Sequence, residues 1–355
     1  MGGRFTASKS FHDLSAWQGF CSDCDHFAGS TLVSREGPRF EGVIWDGHSG
    51  ILFDDTVEPT YLQRYIDSGV TLLTLNVGSD VSPWSSIIHN LSVYRAAVAA
   101  RPNQCVIVHN EKDIRQAKTD GKLAIVFDIE GMSALNGSLE MLDLYYDLGV
   151  RQMTLTYNRN NAAAAGCHDE DQGLTKFGRD IVHKMDRLGI MIDCSHVSFT
   201  SSMEAIQLSE NPVVFSHSNC KSIYGHERNI CDEQIIACAA KGGVSGVTGL
   251  GIFLGTSHAS VDELVRHIDH KVDLVGPMSV GIGLDYFPDS GGLASTWNPV
   301  YWPTSQYPNG PSLGFMDPEA FPRIADTLSM RGYSDRDVHG IMGENFLRVA
   351  NQVWK

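Results

Sequence analysis

The chain has 355 residues, 42% of them hydrophobic and 19% charged, a globular balance with enough apolar residues for a large core. A formal net charge of −15 excludes a basic surface of the kind that grips nucleic acid or anionic membranes. No apolar run approaches the ~20 residues needed to span a bilayer. The opening MGGRFTASKSFHDLSAWQGF has no continuous apolar stretch of signal-peptide length, so a cytoplasmic protein is expected.

In chain order, residues 1–40 read as a small N-terminal cap and 41–355 as one domain. Cys21 and Cys24, followed by His26, have half the spacing of a zinc knuckle. No second Cys-x-x-Cys pair exists, and eight cysteines are dilute in a chain of this length, so idle thiols are the expectation. Short β-branched runs then recur between helical stretches. Val43–Trp45 is the first. Thr71–Asn76 follows the amphipathic Tyr61–Asp67, and Leu123–Ile129 follows the helix-like Glu111–Asp120. Gln152–Thr156 follows LEMLDLYYDLG, and Ile190–Asp193 follows FGRDIVHKMDRLG, each helix closed by a glycine where a C-cap belongs. Val213–Ser216, Val244–Val247 and Val280–Gly283 complete eight candidate strands, with Cys105–His109 assigned to an excursion after the second. Residues 286–320, rich in Pro, Gly, Trp and Tyr, read as a long loop over one end, followed by C-terminal helices from about Glu319 to Trp354.

A parallel strand pair needs a crossover, and a helix between strands supplies it. Eight such units predict an α/β protein, a closed (β/α)8 barrel of the TIM type; an open doubly wound sheet is the alternative. Barrel enzymes carry their chemistry at the C-terminal ends of the strands. There the sequence places His48 after the first strand, Glu130 after the third, His196 after the fifth, His217 after the sixth and Asp285 after the eighth. Each has a plainer role on its own, a loop hydrogen bond for a histidine or a helix cap for an acid. Their coincidence at equivalent places is what points to a metal, and imidazoles with carboxylates suit zinc better than magnesium or calcium. Asp193, three before His196, is a candidate to orient it. Asp46 and His48, two apart in an extended strand, are expected to point the same way, with Asp46 a substitute ligand or a bracing acid. Arg228 near the mouth would suit a substrate carboxylate through a bidentate fork.

The segments DGH (Asp46–His48), IEG (Ile129–Gly131), LTYNRNN (Leu155–Asn161), GLTKFGRDIVHKMDRLGIMIDCSHVS (Gly173–Ser198), PVVFSHS (Pro212–Ser218), HERN (His226–Asn229) and GIGLD (Gly281–Asp285) resemble the renal (membrane) dipeptidase family, peptidase family M19 of the amidohydrolase superfamily. The resemblance implies a distorted (β/α)8 metallohydrolase barrel. It also implies a two-zinc site that hydrolyses dipeptides and tolerates a D-residue at the C-terminal side, often in a homodimer. Carried over residue by residue, it makes His48 a ligand of one metal, Glu130 the bridging carboxylate, and His196 and His217 ligands of the other metal. Asp285 becomes the proton-transferring acid, Arg228 the substrate-carboxylate anchor and Asn345 a substrate contact. Two positions depart from the pattern. Tyr157 stands where many members have a substrate-binding histidine. His48-Ser49-Gly50 stands where the family has His-x-Asp.

Without that aspartate the expectation is one firmly held zinc on Glu130, His196 and His217, with the His48 position weak. The leading functional reading is therefore a zinc-dependent hydrolase of dipeptides or similar small carboxylate-bearing amides. A different small-metabolite reaction and a catalytically inactive binding barrel are the alternatives.

Overall fold

The computed structural model describes residues 41–50, 59–288 and 297–355. The proposed cap and its Cys21-x-x-Cys24 pair lie outside the described residues. Within them one all-parallel sheet contains β1 Trp45–Gly50, β2 Leu72–Ser79, β3 Cys105–Ile107, β4 Leu123–Glu130, β5 Val150–Thr154, β6 Met191–Asp193, β7 Val214–Phe215, β8 Val244–Val247 and β9 Val280–Ile282. Eight of these follow one another as β1-β2-β4-β5-β6-β7-β8-β9. The two ends of that path meet: Asp285 N–H donates to His48 O (2.8 Å) and Gly50 N–H to Tyr286 O (3.1 Å). The sheet is thus a nearly closed eight-stranded barrel and not an open doubly wound one. β3 is the expected excursion. It pairs with the first half of β4, while β5 pairs with the second half from Phe127 onward.

The helices form where amphipathic pattern and caps predict them. In Lys176–Leu188 the Thr175 hydroxyl accepts the Gly178 N–H, and Gly189 closes the helix at φ 87°, a left-handed turn that glycine adopts without a Cβ clash. The C-terminal helices are Phe321–Met330, Asp335–His339 and Asn345–Val353. The last of them plugs the barrel. Phe346 packs with Trp45, Leu72, Ala124, Val126, Met191, Val214 and Val244 in one buried cluster. A Cβ on Gly281, Gly47 or Gly246 would lie 2.5, 2.9 or 3.2 Å from its ring. These glycines make room for one aromatic among eight strands, and the interior is filled as a core. No helix among the described residues is long and apolar enough to cross a membrane.

Most strand boundaries differ from the sequence reading by one to three residues, and β1 by more; β4 runs on to include Glu130. β5 begins at Val150, two residues before Gln152. β1 runs through Trp45–Gly50, so His48 lies on the strand and not beyond it. The register of β1 against β2 slips between Asp46 and Ser49, one extra residue opposing a shorter partner stretch. That bulge breaks the two-residue alternation, and Asp46 does not point with His48. Its carboxylate accepts the Leu284 N–H (2.8 Å) and the Ser49 hydroxyl (2.7 Å). It is no substitute ligand; it braces β1 to the segment after β9.

Candidate metal centre

In β4, Ala124 and Val126 fill the lower core, so Asp128 and Glu130 on the same face rise toward the mouth. Glu130 Oε1 is 3.0 Å from His196 Nε2, 3.3 Å from His217 Nε2 and 3.6 Å from His48 Nε2. The two imidazole nitrogens of His196 and His217 are 3.0 Å apart. Asp285 Oδ1 joins at 3.6 Å from His48 Nε2. All five side chains predicted from separate strand ends therefore meet at one point, buried to within a few per cent. His48, Glu130 and His217 alone form a group able to hold a metal ion.

The other ring nitrogen of each histidine explains the convergence. His48 Nδ1 meets Asp128 Oδ2 at 2.8 Å. His217 Nδ1 meets Ser216 Oγ at 2.5 Å, and that hydroxyl is committed as a donor to Asp193 Oδ2. His196 Nδ1 meets Asn158 Oδ1 at 2.7 Å, while the same amide donates to Tyr301 O at 3.1 Å. In all three the oxygen accepts, so Nδ1 carries a proton; on His196 and His217, kept neutral by burial, Nε2 is left as a bare lone pair, while on His48 the surrounding carboxylates hold a second proton at Nε2 that an ion would displace. The Nε2 atoms of three imidazoles and the Glu130 carboxyl then face one another in a dry site. His48 Nε2 and Glu130 Oε1 make no hydrogen bond there. Such an arrangement is unfavourable unless a cation stands among them, and fixed imidazoles backed by oxygen acceptors are how proteins hold one.

The charges agree. Burial pushes the Glu130 carboxyl up to about 8 and Asp285 up to about 6. Burial opposes charge on His48, but the carboxylates of Asp128, Glu130 and Asp285 together hold it well above the usual imidazole range. Burial pushes His196 and His217 well down, helped by the nearby cations Arg228 and His48. Strain is concentrated here as well. Three of the four non-glycine residues with positive φ among the described residues are His196 (64°), Asp285 (58°) and Asn158 (60°).

Several sequence expectations are redirected. Asp193 does not orient His196; it accepts the N–H groups of Ser195 and Ser216 and acts through Ser216 on His217. Asn345 does not reach the mouth. Its amide donates to Pro277 O and Val280 O at the opposite, N-terminal end of β9. Arg228 is buried, with Nη1 on Ser218 Oγ (2.8 Å) and Nη2 on His217 O (2.9 Å), so it braces the end of β7; its Nε has no partner. Tyr157 lays its ring on His196 with centroids 4.3 Å apart. Asp128, Asn158 and Ser216 were not foreseen. Asp128 was within reach, since it stands two before Glu130 in a strand.

At Gly50 a side chain would require the Phe287 ring to move. A Cβ there would collide with the Phe287 ring. The space of the missing aspartate is filled by an aromatic.

A nearly closed (β/α)8 barrel with imidazoles and carboxylates gathered at its C-terminal mouth defines the class of metal-dependent hydrolases. Within that class the chain belongs to the membrane dipeptidase family, peptidase family M19, whose match covers residues 80–355. It is 29% identical over 313 residues to an uncharacterized dipeptidase of Schizosaccharomyces pombe, covering 85% of this chain and 67% of that one. It is 32% identical over 240 residues to Dipeptidase 3 of Mus musculus, covering 65% and 45%. The chain thus spans between about half and two thirds of these relatives' lengths. A crystal structure of an amidohydrolase from Pseudomonas aeruginosa superposes with a TM-score of 0.79 at 26% identity, over 89% of this chain and 98% of that one.

Proposed function

We propose that the protein hydrolyses the amide bond of dipeptides or similar small carboxylate-bearing amides, with one zinc ion at the centre described above. The convergence of His48, His196 and His217 Nε2 on Glu130 Oε1 carries this reading. The donor set fits zinc, which takes imidazole nitrogen and carboxylate oxygen. Glu130, His196 and His217 would hold the ion, with His48 beside them. The chemistry such an ion supplies is an acidified water and a polarised amide carbonyl. Asp285, at the rim of the cavity over Glu130, takes a proton from the attacking water on Oδ1 and delivers it to the leaving amine. Arg228 lends positive charge that favours the ionised forms of Glu130 and Asp285; it lines the neighbouring cleft beside His196 and not the cavity over Glu130. A second ion is not proposed, because Gly50 offers no donor and Phe287 occupies the place of one.

Elemental analysis of the purified protein tests the centre, and a release assay on L,L- and L,D-dipeptides tests the reaction. About one zinc per chain with cleavage of at least one class supports the reading. A protein that takes up no zinc, or one that is zinc-loaded and cleaves none of them, overturns it.

A further inference from the structure

The cavity over Glu130, His196 and Asp285 has two unlike sides. Toward β2 it is mostly polar, with Asn76, Ser79 and Ser82 beside Val81. The opposite side is apolar. Trp302, Tyr307 and Leu313, from the loop after β9, pack with Leu250 and Phe253 in one buried cluster, and Tyr157 and Phe315 lie against it. Phe287 completes this wall, its ring centroid 6.1 Å from that of Phe315. The space is about 90 Å³.

Phe287 links this wall to the altered metal motif. Its ring stands where a Cβ at position 50 would lie. Gly50 has no side chain and the Phe287 ring stands against it, so this stretch of the mouth presents an apolar surface and not a carboxylate. An apolar wall at that place removes nothing polar from water when a hydrocarbon side chain covers it, but it leaves a charged or hydroxylated one without partners.

We propose that this cavity is an apolar side-chain subsite, that its preferred occupant is a bulky apolar or aromatic group next to the scissile amide, and that Phe287 is the residue that determines this preference. The proposal rests on the amide-hydrolase reading for what lies beside the occupant, yet binding tests it without turnover. The test uses the zinc-loaded protein and two probes that are amides of the same length, N-acetyl-L-phenylalanine amide and N-acetyl-L-alanine amide. Affinity is followed by calorimetry, alongside cleavage of Phe-Ala, Ala-Phe and Ala-Ala. The phenylalanine amide is expected to bind at least about tenfold more tightly, since a benzyl group buries far more apolar area than a methyl. Phe287→Ala is expected to cut that ratio to below about threefold. Phe315→Ala, which thins the same wall, serves if the first variant does not fold. Equal binding of the two probes, or a ratio unchanged in the folded variant, overturns the subsite. Discrimination in binding with no cleavage of any dipeptide upholds the subsite and overturns the hydrolase reading alone.

Discussion

Asp128 bears on the proposed metal centre without being one of its proposed ligands. Its carboxylate holds His48 Nδ1 at 2.8 Å and so decides which nitrogen faces the centre. Asp128→Asn is expected to weaken zinc binding about 10–100-fold with little change in fold, measured by competition with a chelating dye. Gly50 and Phe287 make the converse case. Gly50→Asp alone drives a carboxylate into the Phe287 ring, and the variant should lose stability. The double variant Gly50→Asp with Phe287→Ala provides both the donor and the room. Its zinc content is expected to rise from about one toward two per chain, and an unchanged ratio would show that the first-strand change is not what limits the count. At this scale the five ligand-type residues were legible from their places after strands. The residues that aim them were not, because Asn158 and Ser216 act through hydrogen bonds that join different units.

The elements owe their positions to a few close approaches. Helix Asn345–Val353 inserts Phe346 against three strand glycines, and Phe346→Ala is expected to cost about 3–5 kcal/mol in urea unfolding, because glycines cannot refill the space. Helix Val261–Val275 carries the buried Lys271, whose Nζ donates to Ser218 O (2.7 Å), Gly246 O (3.0 Å) and Ser245 O (3.3 Å). Lys271→Met removes a buried donor shared by three carbonyls, of which Gly246 O keeps the Ser218 N–H (2.9 Å), and a loss of about 1–3 kcal/mol is expected. It should fall on stability and leave zinc content per folded chain unchanged. Strand and helix periodicity made most of these elements readable. The β1 boundary was missed because a bulge has no signature in hydrophobic alternation, and it was that bulge which separated Asp46 from His48.

For the molecule as a whole, His48, Glu130, His196 and His217, from β1, β4 and the ends of β6 and β7, bring distant parts of one barrel to a single point, so an ion bound there as proposed would couple to the fold. Zinc at 100 times its dissociation constant is expected to add about 2.7 kcal/mol, read as a rise in Tm that a chelator reverses. The coupling extends to protons. With its carboxyl pushed up to about 8, metal-free Glu130 carries a proton below that pH, and binding must expel it. Apparent zinc affinity should therefore fall as pH drops below about 8, by up to about tenfold per unit, with proton release on titration in two buffers of different ionisation heat.

By itself the sequence determined the barrel and the ligand types. Strand–helix alternation forces parallel pairing, and the residues just past strand ends are carried to one mouth whatever the loops do. Only the tertiary structure decided which imidazole nitrogens point inward, that Asn345 lies at the far end, that Arg228 is spent partly on the end of β7, and that an aromatic ring fills the place of the absent aspartate. Those facts depend on contacts between units remote in the chain, where packing and hydrogen-bond satisfaction choose among arrangements that local pattern leaves equal.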